Sequence, residues 1–279
     1  MPILERPQGP SLCYEVDDFT DPWKNAPYIF LQHGMGRSSR LWYGWVPYLS
    51  RFFKVVRADL RGYGASSPLD TSRPPKIEDY IGDLLAIMDA LGADSVHYCG
   101  DSFGGIIGMV LAATHPERVR TLTLLSSPVY LDEQNVGRVK LGRPSWQAAL
   151  HELGPKGWAQ ALHDGVLMGK DADPALAAWF AQDMGGSRLE TLLAMAELAM
   201  ASDATPYLPR ISAPVLGLYP THGTLTSSRQ EELLRTHVRN LKYVRLPSKY
   251  HMAQHIAPAS CARLLLHFAA QHDGTTCHE

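Results

Sequence analysis

Residues 95–115, SVHYCGDSFGGIIGMVLAATH, limit the possible folds of this chain more than any other stretch. A short apolar run (95–100) enters a glycine-rich turn and leaves it as an apolar helix from Ile106 to His115, which Pro116 stops. The same rhythm recurs upstream and downstream. PYIFLQ (27–32), FKVVRADL (53–60) and RTLTLLS (120–126) read as further strands, each bounded by turn residues. Between them Ile77, Tyr80, Ile81, Leu84, Leu85, Met88 and Leu91 recur at three- and four-residue steps and give a helix one apolar face. Strands that are apolar along their length and alternate with helices predict a parallel sheet covered on both faces.

From about Val129 to Leu208 helical signals dominate, interrupted by LGRPS, LGPKG, KDADP and MGGS. Strand character returns in APVLGLYP (213–220) and LKYVRLPS (241–248), with helices near 226–237 and 258–270. Because strands resume, the expected organisation is one α/β core domain built from residues 1–128 and 209–279, with 129–208 inserted as a helical cap or lid. A separate second domain is the alternative.

With 279 residues, 45% of them hydrophobic and 19% charged, such a chain can bury a sizeable core. A formal charge of −2 gives no electrostatic reason to expect nucleic acid or an anionic membrane as partner. The four cysteines show no CxxC spacing and predict free thiols in a reducing compartment. The N-terminal stretch lacks a basic segment followed by an apolar core, and the longest small-apolar run, GIIGMVLAA, is too short to span a bilayer. These features predict a soluble cytoplasmic protein, monomeric or homodimeric. No metal cluster or phosphate-binding loop is present in the sequence, so no metal or cofactor is expected. The expected partner is a small molecule with an apolar portion.

GDSFGG (100–105) matches G-x-S-x-G in the context that motif needs, a strand before it and a helix after. A tight turn of this kind projects the Ser102 hydroxyl into a cleft, while Gly100 and Gly104 relieve crowding. The helix N-terminus that follows favours developing negative charge. HGMG (33–36) opens the loop after strand 27–32. There the backbone N–H of Met35, with that of Phe103, would form a two-donor oxyanion hole, each donor contributing roughly 3–4 kcal/mol to transition-state stabilisation. His33 reads as a brace for this loop.

HGMGRSSRLW, DLRGYGASSP, GDSFGG, HPERVRTLTLLSSP and a late His followed seven residues on by Pro together resemble the α/β-hydrolase fold family. The resemblance covers essentially the whole chain outside the 129–208 insertion. It implies an eight-stranded, mostly parallel sheet with helices on both faces, a helical cap after the sixth strand, and a Ser–His–acid triad in that chain order. It further implies that Asp59, Arg61, Gly62 and Gly64 are scaffold, a loop shaped by glycines and a buried ion pair.

His251, with Pro258 at the family's spacing, is then the general base for Ser102, and His255 is its rival. The family commonly has Gly before this His, where this chain has Tyr250. The acid is missing from its usual place. After the strand near 214–219 the position falls on Gly223, between His222 and Thr224, and the family's variant position at the end of the preceding strand holds Ser126 or Ser127. Asp132, with Glu133 beside it, is the candidate displaced acid. The alternatives are a hydroxyl or carbonyl that orients His251 without charge, or a degraded site.

Gly34, Tyr250 and Trp158 are candidate substrate contacts, and Trp146, Trp179, Phe180, Met168, Met184, Met195 and Met200 are available to line a pocket or to pack the lid. The expected activity is a serine-nucleophile hydrolase acting through an acyl-enzyme on a small ester, lactone, amide or activated C–C bond. A cofactor-independent oxygenase and a non-catalytic binding protein are the rivals, since fold alone does not fix function.

Overall fold

The structure is a computed structural model; it describes residues 2–7, 9–169, 172–221, 223 and 225–277, with the backbone alone at 253. His222 and Thr224 lie outside the described residues.

Eight strands form one sheet in the order β1-β2-β4-β3-β5-β6-β7-β8. They are β1 (Ile3–Leu4), β2 (Leu12–Asp17), β3 (Tyr28–Gln32), β4 (Lys54–Ala58), β5 (Val96–Asp101), β6 (Val119–Leu125), β7 (Val215–Pro220) and β8 (Leu241–Leu246). The first two pair antiparallel and every pairing from β4 to β8 is parallel. Two strands were not expected, β1 and β2. They form one edge of the sheet, and β2 has one flank of mixed burial, so its sequence lacks a continuous apolar run.

Central β5 is buried at every position. Its successive side chains point to opposite faces, as the pleat requires. His97 meets Asp273 of the C-terminal helix, its Nε2 2.9 Å from Oδ2, while Tyr98 packs against Gly108 of the helix after β5. Helices therefore cover both faces, the arrangement expected for apolar parallel strands. Those helices are α1 (Val46–Leu49), α2 (Ile77–Ala90), α3 (Phe103–Thr114), α8 (Ser228–His237), α9 (Ala253–Ile256) and α10 (Pro258–Asp273). The predicted apolar face of α2 is the buried one, through Tyr80, Ile81, Leu84, Ile87 and Met88. Its start is fixed by Asp79, whose carboxylate accepts from the Lys76 N–H at 2.9 Å.

The loop after β4 is scaffold, as the resemblance implied. Asp59 accepts backbone N–H bonds from Ser39 at 2.6 Å and Ala65 at 2.9 Å, and a Cβ at Gly64 would lie 2.1 Å from its Oδ2. The ion pair of this region joins Arg61 to Asp83 at 2.6 Å.

Between β6 and β7 lie α4 (Glu133–Val139), α5 (Trp146–Leu162), a π-helical turn (His163–Leu167), α6 (Pro174–Gly185) and α7 (Leu189–Ala201). Helix α5 is kinked at Gly154 (φ 63°) before Pro155, where the sequence carries the break LGPKG. Gln230 ties α8 to the start of this insertion. Its Oε1 accepts from Val129 N at 2.8 Å and its Nε2 donates to Asn135 Oδ1 at 3.1 Å. No helix among the described residues is long and apolar enough to cross a membrane.

Candidate active site

The turn between β5 and α3 is forced by packing. Ser102 has φ 52° and ψ −117°, a conformation costly for any residue with a Cβ. The strand and helix on either side approach so closely that a Cβ at Gly100 would sit 2.4 Å from the Gly104 carbonyl oxygen. A Cβ at Gly104 would sit 2.7 Å from the carbonyl oxygen of Gln32 on β3. Backbone bonds pin the turn: Ser102 N donates to Leu125 O at 2.9 Å and Gly105 N to Ser102 O at 3.0 Å. Neighbouring elements thus hold the backbone in a form that lifts the Ser102 side chain off the sheet edge.

The HGMG loop lies directly against this turn. A Cβ at Gly34 would come within 2.8 Å of Asp101 O and 2.9 Å of Ser102 Cβ. His33 is fully buried and braces the loop. Its Nε2 accepts from Leu60 N at 3.0 Å, which leaves the proton on Nδ1 to donate to Gly34 O at 2.7 Å. Among the described residues, neither Met35 N nor Phe103 N is used in another hydrogen bond.

Ser102 and His251 share one narrow cavity of about 60 Å³ with Met35 and with Trp146 and Trp158 of the insertion. Trp158 is oriented by its indole N–H, which donates to Val139 O at 3.0 Å. Met184 also lines the cavity, and Phe180 lies just behind it on Arg37. Met195 takes the Tyr80 hydroxyl at 2.7 Å, in the packing between insertion and core.

The His251 loop is bound to the insertion by its backbone. His251 N donates to Val166 O at 3.2 Å and Met252 N to Leu167 O at 2.9 Å, both acceptors lying in the π-helical turn. Burial, reinforced by the Arg37 charge, pushes the His251 imidazole down to about 3, so the ring is neutral near pH 7. His255 is pushed down to about 3 by the same causes, but it packs edge-on to Phe180 and does not line the cavity.

Among the described residues the His251 ring makes no hydrogen bond, to Ser102 or to any carboxylate. The structure does not bring Asp132 to it. Asp132 caps α4, its Oδ1 accepting from Asn135 N at 2.9 Å, and it lines no wall of the cavity. Glu133 is exposed in the first turn of the same helix. At the family's two acid positions stand Gly223 and the serines after β6. Ser127 Oγ donates to backbone carbonyls of Leu125 and Gly100, at 3.1 and 3.2 Å. Ser126, at φ 46°, is buried with its hydroxyl unpaired.

Tyr250 also lies away from the cavity. Gly169, at φ 80°, brings the insertion so close to the phenol that a Cβ there would sit 2.1 Å from Tyr250 Cζ. The ring faces a separate surface cleft with Met168 and Thr221. Trp179 likewise faces outward, edge-on to Tyr43.

The cavity wall also holds two polar residues that the sequence does not single out, Arg37 and Asp101, and buried Gln254 lies behind Asp101. Gln254 Nε2 donates to Asp101 Oδ1 at 2.5 Å. Burial drives Asp101 up to about 7, against the opposing pull of Arg37, the Gly34 backbone and Gln254. Arg37 stands in HGMGRSS and Asp101 inside GDSFGG, so both were within quoted motifs. Gln254 carries no local signal, because its partner is 153 residues away.

The descriptive profile of the alpha/beta hydrolase fold matches residues 27–258. Strigolactone esterase D14 of Arabidopsis thaliana is 27% identical over 85% of this chain and 90% of its own length. 3-Oxoadipate enol-lactonase 2 of Acinetobacter baylyi is 24% identical over 77% and 78%. Among solved structures, the enol-lactonase from Burkholderia xenovorans LB400 superposes with a TM-score of 0.82 at 26% identity, covering 96% of this chain and all of its own. With its sheet order, its strained serine turn and this match over most of its length, the chain belongs to the α/β hydrolase fold family.

Proposed function

We propose that the protein is a serine hydrolase of small esters or lactones, with Ser102 as nucleophile and His251 as general base. The observation that carries this reading is the strained turn that directs Ser102 into the cavity His251 also lines. In the reaction Ser102 Oγ attacks the substrate carbonyl as His251 accepts the hydroxyl proton. The N–H groups of Met35 and Phe103 hold the oxyanion at the N-terminus of α3. His251 returns the proton to the leaving alkoxide, and water then clears the acyl-enzyme by the same proton transfers in reverse. Names of similar proteins, an esterase and enol-lactonases, support an ester or lactone substrate over an amide.

In this reading the base works without a charged partner among the described residues. A buried neutral imidazole is already competent to accept a proton. Its loop is aimed by the bonds to Val166 and Leu167. The missing acid leaves the imidazolium unsupported in the transition state, so the reaction is slower than with a full triad. Residues 129–208 act as a lid. The pocket beside Ser102 offers about 60 Å³, room for a few waters but not for an ester of ordinary size, so its walls, several of them from this segment, must move apart for substrate. Four unpaired cysteines, three of them buried, support a reducing, cytoplasmic setting.

A fluorophosphonate probe tests the assignment. Covalent labelling of the wild type, abolished in Ser102→Ala and slowed at least a hundredfold in His251→Ala, is the expected result. No labelling of folded wild type would sink the hydrolase reading in favour of a ligand receptor.

A further inference from the structure

Arg37 is 4% exposed and lines the cavity that holds Ser102 and His251, yet among the described residues it makes no direct ion pair. Among the described residues no carboxylate oxygen lies within 4.0 Å of its guanidinium. Its Nε is buried without a partner, and its Nη1 reaches only the carbonyl of adjacent Gly36, at 3.5 Å. The nearby acids, Asp101 and Asp183, favour its charge only through space, because their hydrogen bonds are made elsewhere. Asp101 is held by Gln254, and Asp183 by the Ser38 N–H and hydroxyl, at 3.2 and 2.8 Å. One face of the guanidinium is covered by the Phe180 ring, 3.5 Å away, which offsets only part of the cost of burying a cation. The edge that carries the donors is left for something else.

A second unpaired donor belongs to another residue of the cavity wall, the buried indole N–H of Trp146. Two unsatisfied donors, one of them a planar cation, in a cavity beside a nucleophile describe an acceptor site for an anion. A guanidinium edge matches a planar carboxylate through parallel N–H bonds. The neighbouring Asp101 opposes a dianion such as phosphate more than a singly charged carboxylate. We propose that Arg37 receives a free carboxylate of the substrate, so that the enzyme selects esters or lactones carrying one. This specificity rests on the hydrolase reading above, whereas the carboxylate site itself does not. Burial lowers Arg37 only to about 9, so the residue keeps its charge near pH 7.

Arg37 also borders an outer polar groove between α6 and the loop near Gly62, so a carboxylate bound there has to be told apart from one in the cavity. The test compares mono-p-nitrophenyl adipate with neutral p-nitrophenyl hexanoate. Wild type should show kcat/KM at least tenfold higher for the anionic ester. Arg37→Gln should lower that ratio at least thirtyfold, with Arg37→Lys intermediate. A wild-type ratio at or below one, or a ratio unchanged in Arg37→Gln, overturns the proposal. Should Arg37→Gln not fold, free adipate provides the test with wild type alone. It should protect Ser102 from the fluorophosphonate, and binding without protection, as from the outer groove, overturns the assignment. If wild type hydrolyses neither ester and is not labelled, the hydrolase reading has failed. The carboxylate site then stands or falls on calorimetric binding of adipate, saturable in wild type and at least thirtyfold weaker in Arg37→Lys or Arg37→Gln.

Discussion

Gly169→Ala is the most informative single change at the contact between insertion and core. Gly169 has φ 80°, and a Cβ added there meets Tyr250 at Cζ (2.1 Å), OH (2.3 Å) and Cε2 (2.5 Å). Two costs follow. The left-handed backbone costs Ala roughly 1–2 kcal/mol relative to Gly. The overlap is removed only by swinging the phenol away, which costs about another 1 kcal/mol in lost packing and an off-rotamer side chain. The sum is about 2–3 kcal/mol, or a fall in Tm of roughly 4–12 °C at about 2–4 °C per kcal/mol for a chain of this size. Tyr250 directly precedes His251, so displacing it also slows fluorophosphonate labelling of Ser102. The decisive assay is a double-mutant cycle with Tyr250→Ala, read by denaturant unfolding. Removing the ring abolishes the overlap but not the backbone strain, so the two changes should couple by about 1 kcal/mol. Strict additivity would refute the steric argument and leave backbone strain as the whole effect.

Restoring a carboxylate at the usual acid position should raise activity. Because a Cβ at Gly223 would lie 2.2 Å from Thr226 Oγ1, the change needs Thr226→Ala alongside Gly223→Asp. The pair should speed labelling of Ser102 at least tenfold, and an unchanged rate would mean that the new carboxylate does not reach His251. Gln230→Leu should cost about 1–3 kcal/mol in urea unfolding, since it leaves the buried Val129 N–H without its partner, while Asn135 Oδ1 still accepts from Asp132 N; a loss below about 0.5 kcal/mol contradicts that accounting. Acid should destabilise the fold. His251 and His255 are held near 3, below the usual imidazole value, so their contribution is complete above pH 6.5 and is lost as pH falls toward 3. Asp101, raised to about 7, acts oppositely and contributes most below its usual carboxylate value. His33 and His97 are lowered by burial as well, so four histidines against one aspartate give a Tm that falls between pH 6.5 and 5, with a shallower slope in His255→Gln; a Tm that rises over that range would refute the balance.

What the sequence made legible was whatever local chemistry controls. The Ser102 turn shows in its glycines because no Cβ fits between β5, α3 and β3, and that requirement is written within six residues. Strands β3, β5 and β6 are buried on both sides and so carry largely apolar or β-branched runs. Edge strands β1 and β2 have no such run to read. Arg37, Asp101 and Gln254 escaped notice because their meaning lies in what surrounds them in space. An arginine after a loop glycine is ordinary until burial removes its water and no carboxylate replaces it. Asp132 has the charge and the place in the chain of a displaced acid, but its carboxylate is spent on the first turn of α4.

The bonds from His251 N and Met252 N to the π-helical turn tie the His251 loop to the segment between β6 and β7. If that segment is the proposed lid and His251 the proposed base, any movement that parts the two also removes the support that aims the imidazole. Under that reading acylation waits for the clasp to re-form, and the turnover rate reports the motion of the segment as much as the strength of the base.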